Sequence, residues 1–285
     1  VAVPMEVVDA QELARTGRSR LDRALVSLNG MALVDDHGAG IQMQGLSPDY
    51  TLILIDGEPV IGRNAGTLDL RRLSTRGLDR VEVVRGPTSS LYGSEAMAGV
   101  VNLITARAEN GLQGSISIRV GTHQSRELHT EISHGGDRHG LRLVLGHRTS
   151  GGYDLDPDRF GLTSPAYADR TADLRMEFDV AERWALELGA RGSLQAQDGR
   201  FSIRGGSGEQ RYDEHGARRE WSVNPKVIGR LESGLRLSSS VYLSGYATDL
   251  EHVSREDGSV LYADGFDQRY SKAEQQVTRL WNERH

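Results

Sequence analysis

The pattern of apolar and polar positions changes near residue 110. Beyond that point the period is two. Ile116, Ile118 and Val120 stand against Ser115, Ser117 and Arg119. Leu141, Leu143 and Leu145 repeat the pattern, and Leu174, Met176, Phe178 and Val180 oppose Asp173, Arg175, Glu177 and Asp179. Trp184, Leu186, Leu188 and Ala190 follow against Glu187 and Arg191, then Val223, Val227 and Leu231 against Asn224, Lys226 and Arg230. Successive strand side chains point to opposite faces, so this alternation predicts strands with one apolar and one polar face. About eight such segments occur, the last poorly phased near residues 273–281.

Ahead of residue 110 the pattern is mixed. Residues 5–8 are strand-like. Ser19 is expected to cap a helix, with Asp22 as the capping-box acid. Leu21, Ala24, Leu25 and Leu28 share one helical face, and Asn29-Gly30 supplies the stop. Residues 41–45 and 50–56 read as strands, Asp56-Gly57 as a tight turn, residues 69–73 as a helical turn, and residues 81–84 and 99–104 as strands. A small α+β domain is predicted over residues 1–107, with antiparallel strands over residues 108–285.

The connections in the second part alternate in length. Residues 135–140, 181–183 and 232–234 are short. Residues 153–170, 195–220 and 248–270 read as long polar loops rich in Gly, Asp and Tyr. Short turns at one end and long loops at the other are the pattern of outer-membrane barrels. Barrel diameter grows with strand number, and eight strands cannot close around a domain of over 100 residues. The predicted fold is therefore an α+β domain followed by antiparallel transmembrane β-barrel strands, with the barrel incomplete.

Composition narrows the function. The chain has 285 residues and a net charge of −6, with basic residues scattered, so no footprint for nucleic acid is present. The absence of cysteine excludes disulfides and thiolate metal sites. No run of 18 apolar residues marks a spanning helix, and the mean hydropathy of −0.47 suits a soluble protein and a transmembrane barrel alike. Val1 in place of an initiator Met is read as a processed or trimmed start.

No GxSxG, GxGxxG or GxxxxGK[ST] motif is present, and Asp35-Asp36 reads as a charged loop, so no catalysis is expected. His129 and His134 in HTEISH fall on opposite strand faces and do not form a metal pair. No metal or cofactor is expected. Tyr167 and Tyr270, beside strands, read as an interfacial girdle, whereas Tyr153, Tyr212 and Tyr262 can reach a ligand.

Several spaced elements resemble the plug domain of TonB-dependent outer-membrane receptors. They are Leu52-Ile53-Leu54-Ile55-Asp56-Gly57, then Val81-Glu82-Val83-Val84-Arg85-Gly86-Pro87, Leu91-Tyr92-Gly93 and Gly99-Val100-Val101-Asn102. In physical terms, Gly86 and Gly93 permit turns closed to other residues, Pro87 fixes φ after a strand, and Arg85 should find a carboxylate. The resemblance implies that Asp56, Gly57, Arg85, Gly86, Pro87, Tyr92, Gly93 and Asn102 build the plug. It implies ligand contacts on outward loops at residues 30–37 and 60–67, from Asp35, Asp36, His37, Ile61, Arg63 and Asn64, with Arg63 foremost and His37 suited to a heme. It further implies an outer-membrane importer, with TonB, membrane lipid and a ferric siderophore as partners, and with heme, cobalamin and glycans as other ligands. The plug would need a low-stability segment that yields when TonB pulls. Two departures stand out: Gln44 replaces a common Arg that pairs with barrel glutamates, and no TonB box is evident ahead of Met5. The competing reading is a non-transporting surface receptor or adhesin with a plug-like domain; a soluble β-rich enzyme is a third.

Overall fold

The computed structural model describes residues 5–15, 19–35, 38–86, 93–205, 208–231 and 234–279. Asp36, His37, Pro87 and Tyr92 lie outside the described residues. The chain divides into two units, residues 1–107 and 108–285.

In the first unit, strands β1 (Met5–Asp9), β4 (Thr51–Ile55), β5 (Glu58–Pro59), β8 (Leu78–Arg85) and β9 (Gly99–Thr105) form a sheet in the order β1-β8-β9-β4-β5. The β4–β9 pair is parallel and the others are antiparallel. Parallel strands need a long crossover, and here it carries β5, β6 (Arg63–Asn64), β7 (Thr67–Leu68) and β8. Strand β4 reads Thr-Leu-Ile-Leu-Ile without alternation because both its faces are covered. Ile53, Val81, Val83, Val101 and Leu103 pack into the main core with Leu21, Leu25, Ile41 and Met43. Leu52, Leu54 and Val100 pack with Ala96 on the opposite side.

The helix in residues 19–30 is shorter than its pattern suggests. It spans α2 (Leu21–Leu25), following α1 (Ala10–Arg15), which the sequence pattern does not show. The expected Ser19 cap is not formed: Arg20 occupies the capping position without a side-chain cap bond. The Ser19 carbonyl instead accepts from the Thr75 amide at 3.0 Å, so Ser19 serves a tertiary contact. Asp22 is not a capping acid either. Its buried carboxylate takes two bonds from Arg20, at 3.0 and 2.6 Å.

The second unit is one eight-stranded antiparallel meander. Its strands are β10 (Gly111–Val120), β11 (Arg126–Gly136), β12 (His139–Ser150), β13 (Ala166–Ala181), β14 (Trp184–Gly205), β15 (Gly208–Arg230), β16 (Leu235–Ser254) and β17 (Val260–Arg279). Directly paired residues share a face, so the register draws an apolar row through Ile132, Leu143, Leu174, Ala190, Val223 and Leu243. Ile116, Ile118, Leu141, Leu145, Phe178 and Leu186 stand exposed on the same face, which we call the belt face.

Two expectations need correction. Residues 195–220 and 248–270 are mostly strand, not loop: β14 and β15 run 22 and 23 residues. A transmembrane strand needs about 9–11 residues, so these hairpins continue as polar ribbons well past that span. Tyr167 and Tyr270 are not girdle residues, because the register puts both on the face opposite the belt. The tryptophans of the belt face are Trp184 and Trp221, each lying over a cross-strand glycine, Gly229 and Gly245 respectively.

The opposite face is charged across β11–β15. Arg142 bonds Glu131 at 2.7 Å, Arg148 bonds Asp169 at 2.6 Å, and Arg191 pairs with Asp173. Leu143→Arg, near the middle of the apolar band, should cost about 2–4 kcal/mol when a receptor carrying this chain folds into lipid bilayers. Arg142→Leu is not benign either, since it strands Glu131 on the polar face. Restoration by adding Glu131→Gln would confirm that the cost is electrostatic.

Candidate functional site

The plug unit carries two small hairpins. β2 (Met31–Asp35) pairs with β3 (Ala39–Met43), and β6 pairs with β7. Residues 30–37, expected as a loop, are therefore strand as far as Asp35. Residues 60–67 form a tight hairpin whose turn is Ala65-Gly66, both at positive φ.

The hairpins meet at close range. A Cβ on Gly40 would lie 2.7 Å from the Pro48 Cβ and 2.9 Å from the Thr67 Cγ2. Only a glycine lets β3 approach β7 this closely. Asp69 completes the junction: its Oδ1 accepts from the Ala39 amide at 3.1 Å, the Arg71 amide at 3.2 Å and the Arg71 Nε at 2.8 Å. Arg71 also reaches Asp35 at 3.7 Å. Burial raises the Asp69 pKa, but the Arg71 hydrogen bond and charge, with the two amides, outweigh it and hold the carboxyl below its ordinary value. Burial likewise lowers the Arg71 pKa, and the bond and charge of Asp69, aided by Asp35 and Asp22, reverse that and raise it.

Arg63 is turned into the unit. Its side chain is 15% exposed. Its guanidinium donates to the Pro48 carbonyl at 3.2 Å, the Gly66 carbonyl at 2.9 Å and the Thr51 carbonyl at 2.8 Å. Burial lowers its pKa, against the charges of Glu95 and Asp49. Arg72 similarly donates to the Ile61 carbonyl. Two guanidinium groups thus bind the Ile61 and Gly66 carbonyls within residues 60–68, and Arg63 ties that segment to the Pro48 and Thr51 carbonyls. Asn64 stays exposed at the hairpin and Asp35 keeps 69% of its side chain accessible. The structure brings Asp35, Ile61, Arg63 and Asn64 into one region through the β3–β7 junction.

The structural motif residues occupy a separate network. Asp56 and Gly57, both at positive φ, turn β4 into β5. The Asp56 carboxylate accepts from the Thr105 amide at 2.9 Å and its hydroxyl at 2.6 Å. The Gly57 amide donates to Asn102 at 3.1 Å, and Asn102 donates to Glu82 at 3.2 Å. Arg85 pairs with Glu6 of β1 and donates to the Asn29 carbonyl at 3.0 Å. It is part-exposed rather than fully buried. Gly86 and Gly93 both adopt positive φ. Gln44 is exposed at a turn with φ 54°.

Comparison with known proteins bears on this arrangement. A family model described as the TonB-dependent Receptor Plug Domain matches residues 1–100. The chain carries the plug of a TonB-dependent receptor. The vitamin B12 transporter BtuB of Vibrio cholerae is 31% identical over 202 residues, covering 66% of this chain and 32% of that protein. BtuB of Vibrio vulnificus is 26% identical over 258 residues, covering 88% of this chain and 40% of that protein. A variant of the Pseudomonas aeruginosa ferric enterobactin receptor PfeA superposes with a TM-score of 0.60 at 15% identity, covering 97% of this chain and 60% of that one. The ferric citrate transporter FecA, unliganded, gives a TM-score of 0.59 at 14% identity over 98% of this chain and 54% of that one. The relatives are transporters and receptors rather than enzymes, and this chain spans about a third to two fifths of the BtuB sequences.

Sequence reasoning missed Asp69, Arg71 and Arg72. The one available signal was the Asp-Leu-Arg-Arg string at residues 69–72, read only as a helical turn. A carboxyl held below its unfolded value stabilises the fold above pH about 3.9, and that contribution fades as pH falls through the folded value. The thermal midpoint of the plug transition should therefore drop between pH 5 and pH 2. Asp69→Asn should lower the midpoint at pH 6 and flatten this acid dependence; an unchanged slope would place the titration elsewhere. Arg63→Ala takes the guanidinium from three carbonyls, of which that of Pro48 keeps the Thr51 amide, and should cost about 1–3 kcal/mol. Lys at that position should recover little, lacking the guanidinium fork.

Proposed function

We propose that this chain is the plug and first barrel strands of an outer-membrane transporter that imports a scarce ligand, in the first place a ferric siderophore, using energy delivered by TonB. The observation that carries this reading is the joining, in one chain, of a TonB-dependent receptor plug to an antiparallel meander with an apolar belt face. A plug alone would fit many roles. A belt-faced meander alone would fit any barrel.

In this reading the belt face meets outer-membrane lipid and further strands close the sheet, since open edges are not tolerated in hydrocarbon. Ligand is taken by the paired hairpins of the plug. Asp35 and Asn64 offer exposed polar side chains, and Asp36 and His37, outside the described residues, are candidates from the sequence alone. Arg63 and Ile61 hold the second hairpin in place through the carbonyl contacts described above. Arg63 is then a positioning residue, and its effect on affinity runs through Asn64.

The competing reading is a surface receptor that binds without transport. Uptake of radioiron presented as ferric enterobactin, by cells making the full-length receptor, separates the two. Transport predicts accumulation that vanishes in cells lacking TonB while surface binding persists. Binding without accumulation in either strain would favour the receptor or adhesin. Within the transport reading, Asn64→Ala should weaken binding at least several-fold. Affinities within about twofold, or roughly 0.4 kcal/mol, for both Asn64→Ala and Asp35→Ala would move ligand contact away from these hairpins.

A further inference from the structure

The hairpin of β11 and β12 brings two histidines together on the belt face. His134 pairs with Leu141, and His139 pairs with Gly136 and with Phe178. Leu141 and Phe178 belong to the belt, so both imidazoles stand at its margin, at the turn end of the hairpin. The two positions are diagonal neighbours across the strands, a separation that aromatic side chains can bridge. The ring centroids lie 5.1 Å apart, with the planes inclined at 41°. Both residues are exposed.

The surroundings hold this approach in place. Gly136 lies between the two on the same face of β11, and a Cβ there would stand 2.7 Å from the His139 Cε1. The missing side chain therefore leaves the space that the His139 ring occupies. The turn, Asp137-Arg138, is held from the next strand. The Arg138 guanidinium donates to the Asp179 carbonyl at 3.0 Å, and the Asp179 amide donates to the Arg138 carbonyl at 2.8 Å. A backbone already ordered lowers the entropic cost of bringing two ligands to one ion.

Packing alone accounts for His139, which lies over Gly136 as Trp184 lies over Gly229 and Trp221 over Gly245. It leaves unexplained why both rings at an apolar margin are imidazoles. Two neutral imidazoles suit a late first-row divalent ion, and copper(II) heads the affinity order. Two ring nitrogens bound tetrahedrally at about 2.0–2.1 Å put the centroids about 5 Å apart, close to the spacing found here. No group of three or more His, Asp or Glu residues converges on a metal position among the described residues. Water would therefore fill the remaining positions, and the affinity would be modest.

We propose that His134 and His139 form a two-imidazole site for a late first-row divalent metal ion, copper(II) foremost, at the turn end of the β11–β12 hairpin. The inference is independent of the transport reading. An ion bound to both rings clips one strand to the other, so opening of the hairpin must release it, and binding stabilises the closed form.

The test titrates copper(II) alone into the full-length receptor and into the paired variant His134→Gln with His139→Gln. The parent should bind one copper ion more than the paired variant, with a Kd of micromolar order. Pulsed EPR of that additional copper should show two imidazole nitrogens. His139→Phe keeps a ring over Gly136 and should weaken the additional site at least fivefold. The site is overturned if parent and paired variant take up equal copper, if the additional copper carries a single nitrogen, or if His139→Phe weakens it less than fivefold. If the paired variant gives no folded barrel band on unheated gels, His134→Gln alone takes its place: fivefold weakening or more supports the site, and less overturns it.

Discussion

The backbone hydrogen-bond ladder running without a crossover from β10 to β17 is the interaction on which the second unit depends. Each strand from β11 to β16 is satisfied by its sequence neighbours, so this ladder needs no buried apolar core to hold it. That frees both faces for other tasks. One face can be apolar throughout, and the other can carry ion pairs in β11–β14 and rings in β16–β17. A soluble sheet of this size would have to commit one face to packing against another layer. Here the register alone assigns each side chain to its environment, and a slip of one residue would move every leucine in the belt to the polar face.

The first unit solves a different problem. Its sheet is small and mixed, and the long crossover between β4 and β9 includes residues 60–68, which form only one short hairpin. Such a segment exposes carbonyls that no strand neighbour can satisfy. Arg63 and Arg72 meet this need at Gly66 and Ile61, and Arg63 also ties the segment to the Pro48 and Thr51 carbonyls outside it. The arginines act as local replacements for secondary structure.

Much of this was legible in the sequence. The period of two named the belt-face residues because each strand's environment is set by parity, a purely local property. The Asp56-Gly57 turn and the plug motifs were legible because they depend on backbone conformations few residues adopt. Other features depend on tertiary partners. Ser19 reads as a cap, yet its carbonyl is claimed by Thr75. Arg63 reads as an exposed cation, yet its partners are carbonyls up to 15 residues away. The polar stretches at residues 195–220 and 248–270 read as loops because strands outside an apolar layer lose the alternation that reveals them, although their ladders continue, with one register shift at His252–Val253. Tyr270 was misread for a related reason: beside β17 both faces are polar, so parity there carries no contrast.

The unequal strand lengths make the rim of the sheet uneven. The short turns at one end lie level, while the opposite ends rise from the 10 residues of β10 to the 23 of β15. At 3.3 Å per residue the difference is about 43 Å along the strand. A solute arriving from outside would meet a high wall on one side and a low sill on the other. Its approach would be lateral across the sill, and the tall ribbons would act as a backstop that lengthens each encounter. Capture by such a surface depends less on the area of its opening than on the height of the wall behind it.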